Sequence, residues 1–167
     1  DLPQPSTVHW HGVRIDNAMD GVPGITQPAV KPGGNFAYRF VAPDAGTFWY
    51  HPHQRSWEQM ARGLYGLLVV EEREPPAVDS DLPFVADDWL LKENGALDEE
   101  SFGNLHDWAH AGRFGNWLTI NGTSHPEQKV PAGGRVRLRC ANVANSRTLA
   151  FDVSALSARI IAVDGQP

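Results

Sequence analysis

Aromatic and polar positions alternate from Asn35 to Phe40, with Phe36, Tyr38 and Phe40 on one side and Ala37 and Arg39 on the other. A repeat of two predicts a strand whose apolar side is buried. Two further β-rich runs follow, "GTFWYHPH" from Gly46 to His53 and "GLYGLLVVEE" from Gly63 to Glu72. Between Gln27 and Gly34, Pro28, Pro32, Gly33 and Gly34 supply turn chemistry. Strands separated by such short turns predict an antiparallel sandwich.

The pattern breaks at "EEREPPAVDS", where charge and proline replace the apolar rhythm and Pro75 and Pro76 cannot donate ladder hydrogen bonds. Residues 75–82 are therefore expected to link a first domain at 1–74 to a second at 83–167. The second opens on the apolar run "LPFVADDWLL" and passes through a polar region, Lys92 to Gly115, with some helical character. It continues through "NWLTING" and "RVRLRCANV" to "ARIIAVDGQP", each expected to be β-rich. Each half is shorter than the ~100 residues of a typical sandwich. The expected fold class is all-β, with two incomplete β-sandwiches and both ends of the chain cut within a domain.

Composition narrows the functional classes. The 167 residues are 41% hydrophobic, with 16 Gly and 13 Pro, and carry a formal charge of −6 without a basic stripe. That distribution argues against nucleic acid or an anionic membrane as partner, and no apolar run is long enough to cross a bilayer. The single Cys140 forms no internal disulfide, and its alternation with Leu138 predicts core packing.

The chemistry lies in two His-x-His pairs, His9 and His11 in "HWHG" and His51 and His53 in "HPH". In a strand, residues two apart project from the same face. Two such pairs on adjacent strands would bring four imidazoles together. Neutral nitrogen donors with few thiolates or carboxylates nearby suit copper, zinc or nickel rather than calcium or magnesium. Trp10 and Trp49 are expected to pack behind these ligands. His106 and His110, four apart in "LHDWAHAG", could share a helix face but have no evident third ligand, so solvation or capping is expected. Asn121-Gly122 reads as a tight turn.

"HWHG", "DGVPGITQPAVKPGGNFAYRF", "GTFWYHPH" and "GLYGLLVVEE", in this order from Leu2 to Glu72, resemble the first cupredoxin domain of the laccase-like multicopper oxidases. "VADDWLL", "FGNWLTING" and "RVRLRCANV…IIAVDGQP" resemble the opening half of that family's second domain. The resemblance implies cupredoxin-like Greek-key sandwiches and a cluster of three coppers shared with a last domain. It places the type 2 copper on His9 and the type 3 pair on His11, His51 and His53. Asp20, in "MDGVPG", matches the family's acidic residue near the cluster, implying a proton relay. The implied partners are dioxygen, a phenolic, aromatic or metal-ion electron donor and the remaining domains of a parent chain, working in the periplasm or outside the cell.

The chain departs from the family in having no His-Cys-His for a type 1 copper, since Pro52 stands between His51 and His53. By itself it is expected to be inactive. A non-catalytic structural or cell-envelope relative of the same fold is the alternative reading. A zinc hydrolase is disfavoured, because an acidic residue after the first pair comes only at Asp16, beyond position 13 where His-x-His-x-Asp would need it.

Overall fold

A computed structural model describes residues 2–167. Three strands, His9–His11 (β1), Gly46–His51 (β2) and Gly66–Val70 (β3), form one antiparallel sheet in the order β1-β2-β3. Ser80–Trp89 (β4), Trp117–Ile120 (β5) and Val136–Asn142 (β6) form a second, ordered β5-β4-β6. The α-helices are single turns, Ser56–Gln59 (α1) and Leu105–Ala109 (α2). The chain is all-β, and among the described residues no helix is long and apolar enough to cross a membrane.

The fold divides into two compact units, one of residues up to Arg73 together with Ile160–Pro167, the other of Glu74–Arg159. In the first, Phe48 on β2 is 5% exposed and lies against Gly165 of the terminal turn. Beside it Thr7, His51, Glu58 and Gln59 are buried polar groups. Gln59 and Glu58 are satisfied within the unit: the Ser6 hydroxyl donates to Gln59 (2.6 Å), the Gln59 amide donates to the Pro5 carbonyl (2.9 Å), and Arg55 and Arg62 both pair with Glu58.

In the second unit β4 pairs antiparallel with β5 and parallel with β6. Strand β4 begins at Ser80, inside the stretch 75–82 read as a linker. The pattern on β6 is inverted, because Arg137 and Arg139 are buried while Leu138 is exposed. Arg139 holds Asp81 on β4 through bonds of 2.7 and 2.6 Å, which satisfies the buried guanidinium. Cys140 follows Leu138 to the exposed side, so core packing is not its role.

Two segments expected as strands are not strands. Asn35–Phe40 has no ladder partner among the described residues; Tyr38 and Phe40 instead pack edge-on against Trp10, at centroid distances of 5.5 and 5.1 Å. The alternation thus reports one-sided burial without a ladder. Ala158–Pro167 forms only a turn closed by Val163 and Gln166, with Ile160 86% exposed. Asn121 (φ 51°) and Gly122 (φ 77°) both adopt left-handed geometry, as a two-residue hairpin turn requires.

Candidate metal centre

The strand register builds the site. His9 stands opposite His51, Trp10 opposite Tyr50 and His11 opposite Trp49. Opposed residues of an antiparallel pair share a face, as do residues two apart on one strand. His9, His11, Trp49 and His51 therefore project to one side, and Trp10 and Tyr50 to the other. Trp49 lies against His11 and His51, with ring centroids 4.9 and 4.4 Å away, limiting how far either imidazole can turn.

One nitrogen from each of His9, His11 and His51 falls within 4.8 Å of the other two. The shortest approach is His11 Nδ1 to His51 Nε2, 3.2 Å. Two ligands of a tetrahedral ion with bonds of about 2.0 Å are about 3.3 Å apart, so this pair has the spacing of donors to one metal. His53 lies just past the end of β2, exposed, with its ring 5.3 Å from that of His9 and 6.2 Å from that of His51. It neighbours the cluster without joining the set of three closest nitrogens.

Backbone carbonyls set the tautomers. His9 Nδ1 is 2.8 Å from the Asp20 carbonyl oxygen, and His51 Nδ1 is 2.9 Å from that of Pro52. A carbonyl only accepts, so both Nδ1 atoms carry hydrogen and both Nε2 atoms keep a lone pair for a cation. The Asp20 carboxylate is also close, with Oδ1 3.3 Å from His9 Nδ1. This approach depends on Gly21, whose φ of 76° is left-handed and whose Cα lies so near β1 that a Cβ would overlap the Val8 carbonyl, 2.5 Å from its carbon.

The electrostatics favour neutral rings. Burial pushes the His51 imidazole down to about 4; the Pro52 hydrogen bond opposes this, while His9, His11 and His53 add to it. Loss of hydration also lowers His11, assisted by His9 and His53 and opposed by the Asp164 carboxylate. Both shifts leave His11 and His51 with lone pairs for a metal and less competition from protons. The donors present fit copper: neutral imidazoles at ligand spacing, with fixed tautomers and no thiolate.

Three residues make supporting bonds that no motif in the sequence signalled. Thr7, 3% exposed, accepts a hydrogen bond from the His53 N–H at 3.3 Å. Tyr38 accepts from the Val8 N–H at 2.9 Å. Gln59 fastens Pro5 and Ser6, just before β1, to α1, just after the second histidine pair. Each bond spans a long sequence separation, and the alternation that marked Tyr38 as lying on a buried side says nothing of its partner.

Comparison with known proteins points to one family. The family model for multicopper oxidases matches residues 1–75. Laccase-2 of Cryptococcus neoformans is 32% identical over 95% of this chain and 30% of its own length. A multicopper oxidase of Mycobacterium tuberculosis is 41% identical over 64% of this chain and 20% of its own length. The crystal structure of a multi-copper oxidase from Pseudomonas thermotolerans superposes with a TM-score of 0.80 at 43% identity, covering 87% of this chain and 35% of that one. The chain thus spans about a third or less of the length of these relatives. With its histidine face, its strand order and these likenesses taken together, the chain belongs to the multicopper oxidase family.

Proposed function

We propose that this chain supplies half of the oxygen-reducing centre of a laccase-like copper oxidase, which couples one-electron oxidation of phenols, aromatic amines or reduced metal ions to the four-electron reduction of dioxygen to water. The observation that carries the reading is the 3.2 Å approach of His11 Nδ1 to His51 Nε2, with a His9 nitrogen within 4.8 Å. His9 would hold a type 2 copper through Nε2, and His11, His51 and His53 would hold the type 3 pair. Bound copper would supply the reversible one-electron redox steps. Imidazole suits that role because it adds no negative charge in either oxidation state.

The protein's own groups orient and protonate. The Asp20 and Pro52 carbonyls fix the rings of His9 and His51, and Trp49 buttresses His51. The Asp20 carboxylate, with 31% of its side chain exposed, reaches both His9 and solvent. It would pass protons from water to oxygen being reduced, as a general acid must. The four remaining cluster ligands and the electron-entry copper would come from further domains of the parent protein, and the domain plan 1–74, 75–82 and 83–167 belongs to the same reading. Export to the periplasm or beyond the cell fits this class of chemistry.

The test is copper content and phenol-dependent oxygen uptake of the intact protein. His11→Gln and His51→Gln should each lower bound copper and abolish uptake. Full activity with either substitution would remove that histidine from the centre, and an intact protein that binds no copper would favour the non-catalytic alternative.

A further inference from the structure

Outside the histidine cluster, the second unit carries another paired-imidazole arrangement. Helix α2, Leu105–Ala109, places His106 in its first turn, and His110, four residues on, caps its end with a backbone that has left the helix. Both are exposed. Their rings lie 4.1 Å apart between centroids, tilted by 30°. His110 Nδ1 is 2.8 Å from the His106 carbonyl oxygen, which fixes the hydrogen on Nδ1 and leaves Nε2 with a lone pair. His9 and His51 show the same Nδ1–H to carbonyl arrangement in the cluster. The Asn104 side chain accepts from the His106 N–H at 2.8 Å and holds the start of the turn.

We propose that His106 and His110 form a separate, solvent-facing site for one divalent copper ion, bound by two imidazole nitrogens with water completing its coordination. Two imidazoles four apart on a helix are a known chelating geometry for borderline divalent ions. Among these, Cu2+ binds nitrogen donors most tightly, ahead of Ni2+ and Zn2+. Two imidazolium rings face to face at this separation would repel; two neutral rings sharing one cation would not. Binding would require the exposed His106 ring to turn out of its stack on His110, so that a nitrogen of each ring faces one ion. Exposure suits an exchangeable ion rather than a permanently held one.

The test is equilibrium titration of the full chain with Cu2+ in competition with glycine. The unaltered chain should bind one more Cu2+ than the His106→Gln, His110→Gln double variant. Each single substitution should weaken that site by about tenfold or more, because the second donor is presented intramolecularly. A chain with His9→Gln and His51→Gln should keep the site, which separates this inference from the cluster reading. A second measurement uses the unaltered chain: stepwise Cu2+ should broaden the imidazole C–H resonances of His106 and His110 together, in one step. A double variant with undiminished Cu2+ binding, or resonances that broaden independently of each other, would overturn the assignment.

Discussion

Replacing Gly21 by alanine is a local perturbation with a calculable consequence at the metal centre. Gly21 and Gly24 have nearly the same left-handed φ, 76° and 78°, yet a Cβ at Gly24 meets nothing within 4 Å while one at Gly21 overlaps the Val8 carbonyl. Left-handed geometry costs an alanine about 1–2 kcal/mol at either position. Gly21→Ala adds overpacking against backbone that cannot rotate away, roughly 1–3 kcal/mol more. The relief available is to move the Asp20 loop away from β1, which stretches the 2.8 Å bond between the Asp20 carbonyl and His9 Nδ1. Losing such a partner typically lowers metal affinity by about 10–100-fold. Thermal unfolding and copper competition, run on both variants, measure the two effects. Gly24→Ala should lose modest stability and bind copper normally; Gly21→Ala should lose more stability and most of its affinity. Equal behaviour of the two variants would refute the argument that Gly21 sets the His9 orientation.

Four further outcomes follow from the same structure. The His51 pKa of about 4 lies below the ordinary 6.5, so the unfolded chain binds more protons between those values, and metal-free stability should fall as pH drops from about 6.5 toward 4; urea midpoints across that range should flatten in His51→Gln, and an unchanged slope would contradict the burial of this ring. Gln59→Leu leaves the Pro5 carbonyl without its donor and the Ser6 hydroxyl with only its 3.3 Å bond to the Thr7 carbonyl and should cost about 2 kcal/mol in denaturant titration, whereas a neutral result would mean that water replaces the amide. Arg147→Met removes the cation 2.7 Å from Asp88, whose side chain is 2% exposed; because water reaches the arginine, the expected loss is about 2 kcal/mol, with recovery in the Asp88→Asn background. Asp20→Asn in the intact protein should leave copper content unchanged and, on the proposed oxidase reading, slow oxygen uptake most at high pH, where protons are scarce; unaltered turnover would remove Asp20 from the proton path.

How far the sequence disclosed all this varies with the physics involved. The grouping of His9, His11 and His51 was legible because strand geometry puts alternate residues on one face and the register that joins His9 to His51 needs only adjacent antiparallel strands, whereas His53 lies past the end of β2. Asn35–Phe40 misled because burial of alternate rings produces the same periodicity whether or not backbone hydrogen bonds form, and here Trp10 provides the burial. Cys140 misled for a related reason: the ion pair of Arg139 with Asp81 buries the polar face of β6 and turns Leu138 and Cys140 outward. Gln59 and Thr7 were silent because their bonds close loops of about fifty residues, |i−j| 53 and 46, which no local pattern records. The carbonyls that fix the His9 and His51 tautomers belong to the backbone of Asp20 and Pro52. Side-chain identity does not encode them.

The most direct measurement is anomalous diffraction at the copper edge from crystals of the intact protein. The account predicts a copper bonded to both His11 Nδ1 and His51 Nε2, and another at His9 Nε2, at about 2 Å. Copper absent from these nitrogens, or His11 and His51 turned apart with no shared ion in copper-replete crystals, would contradict it.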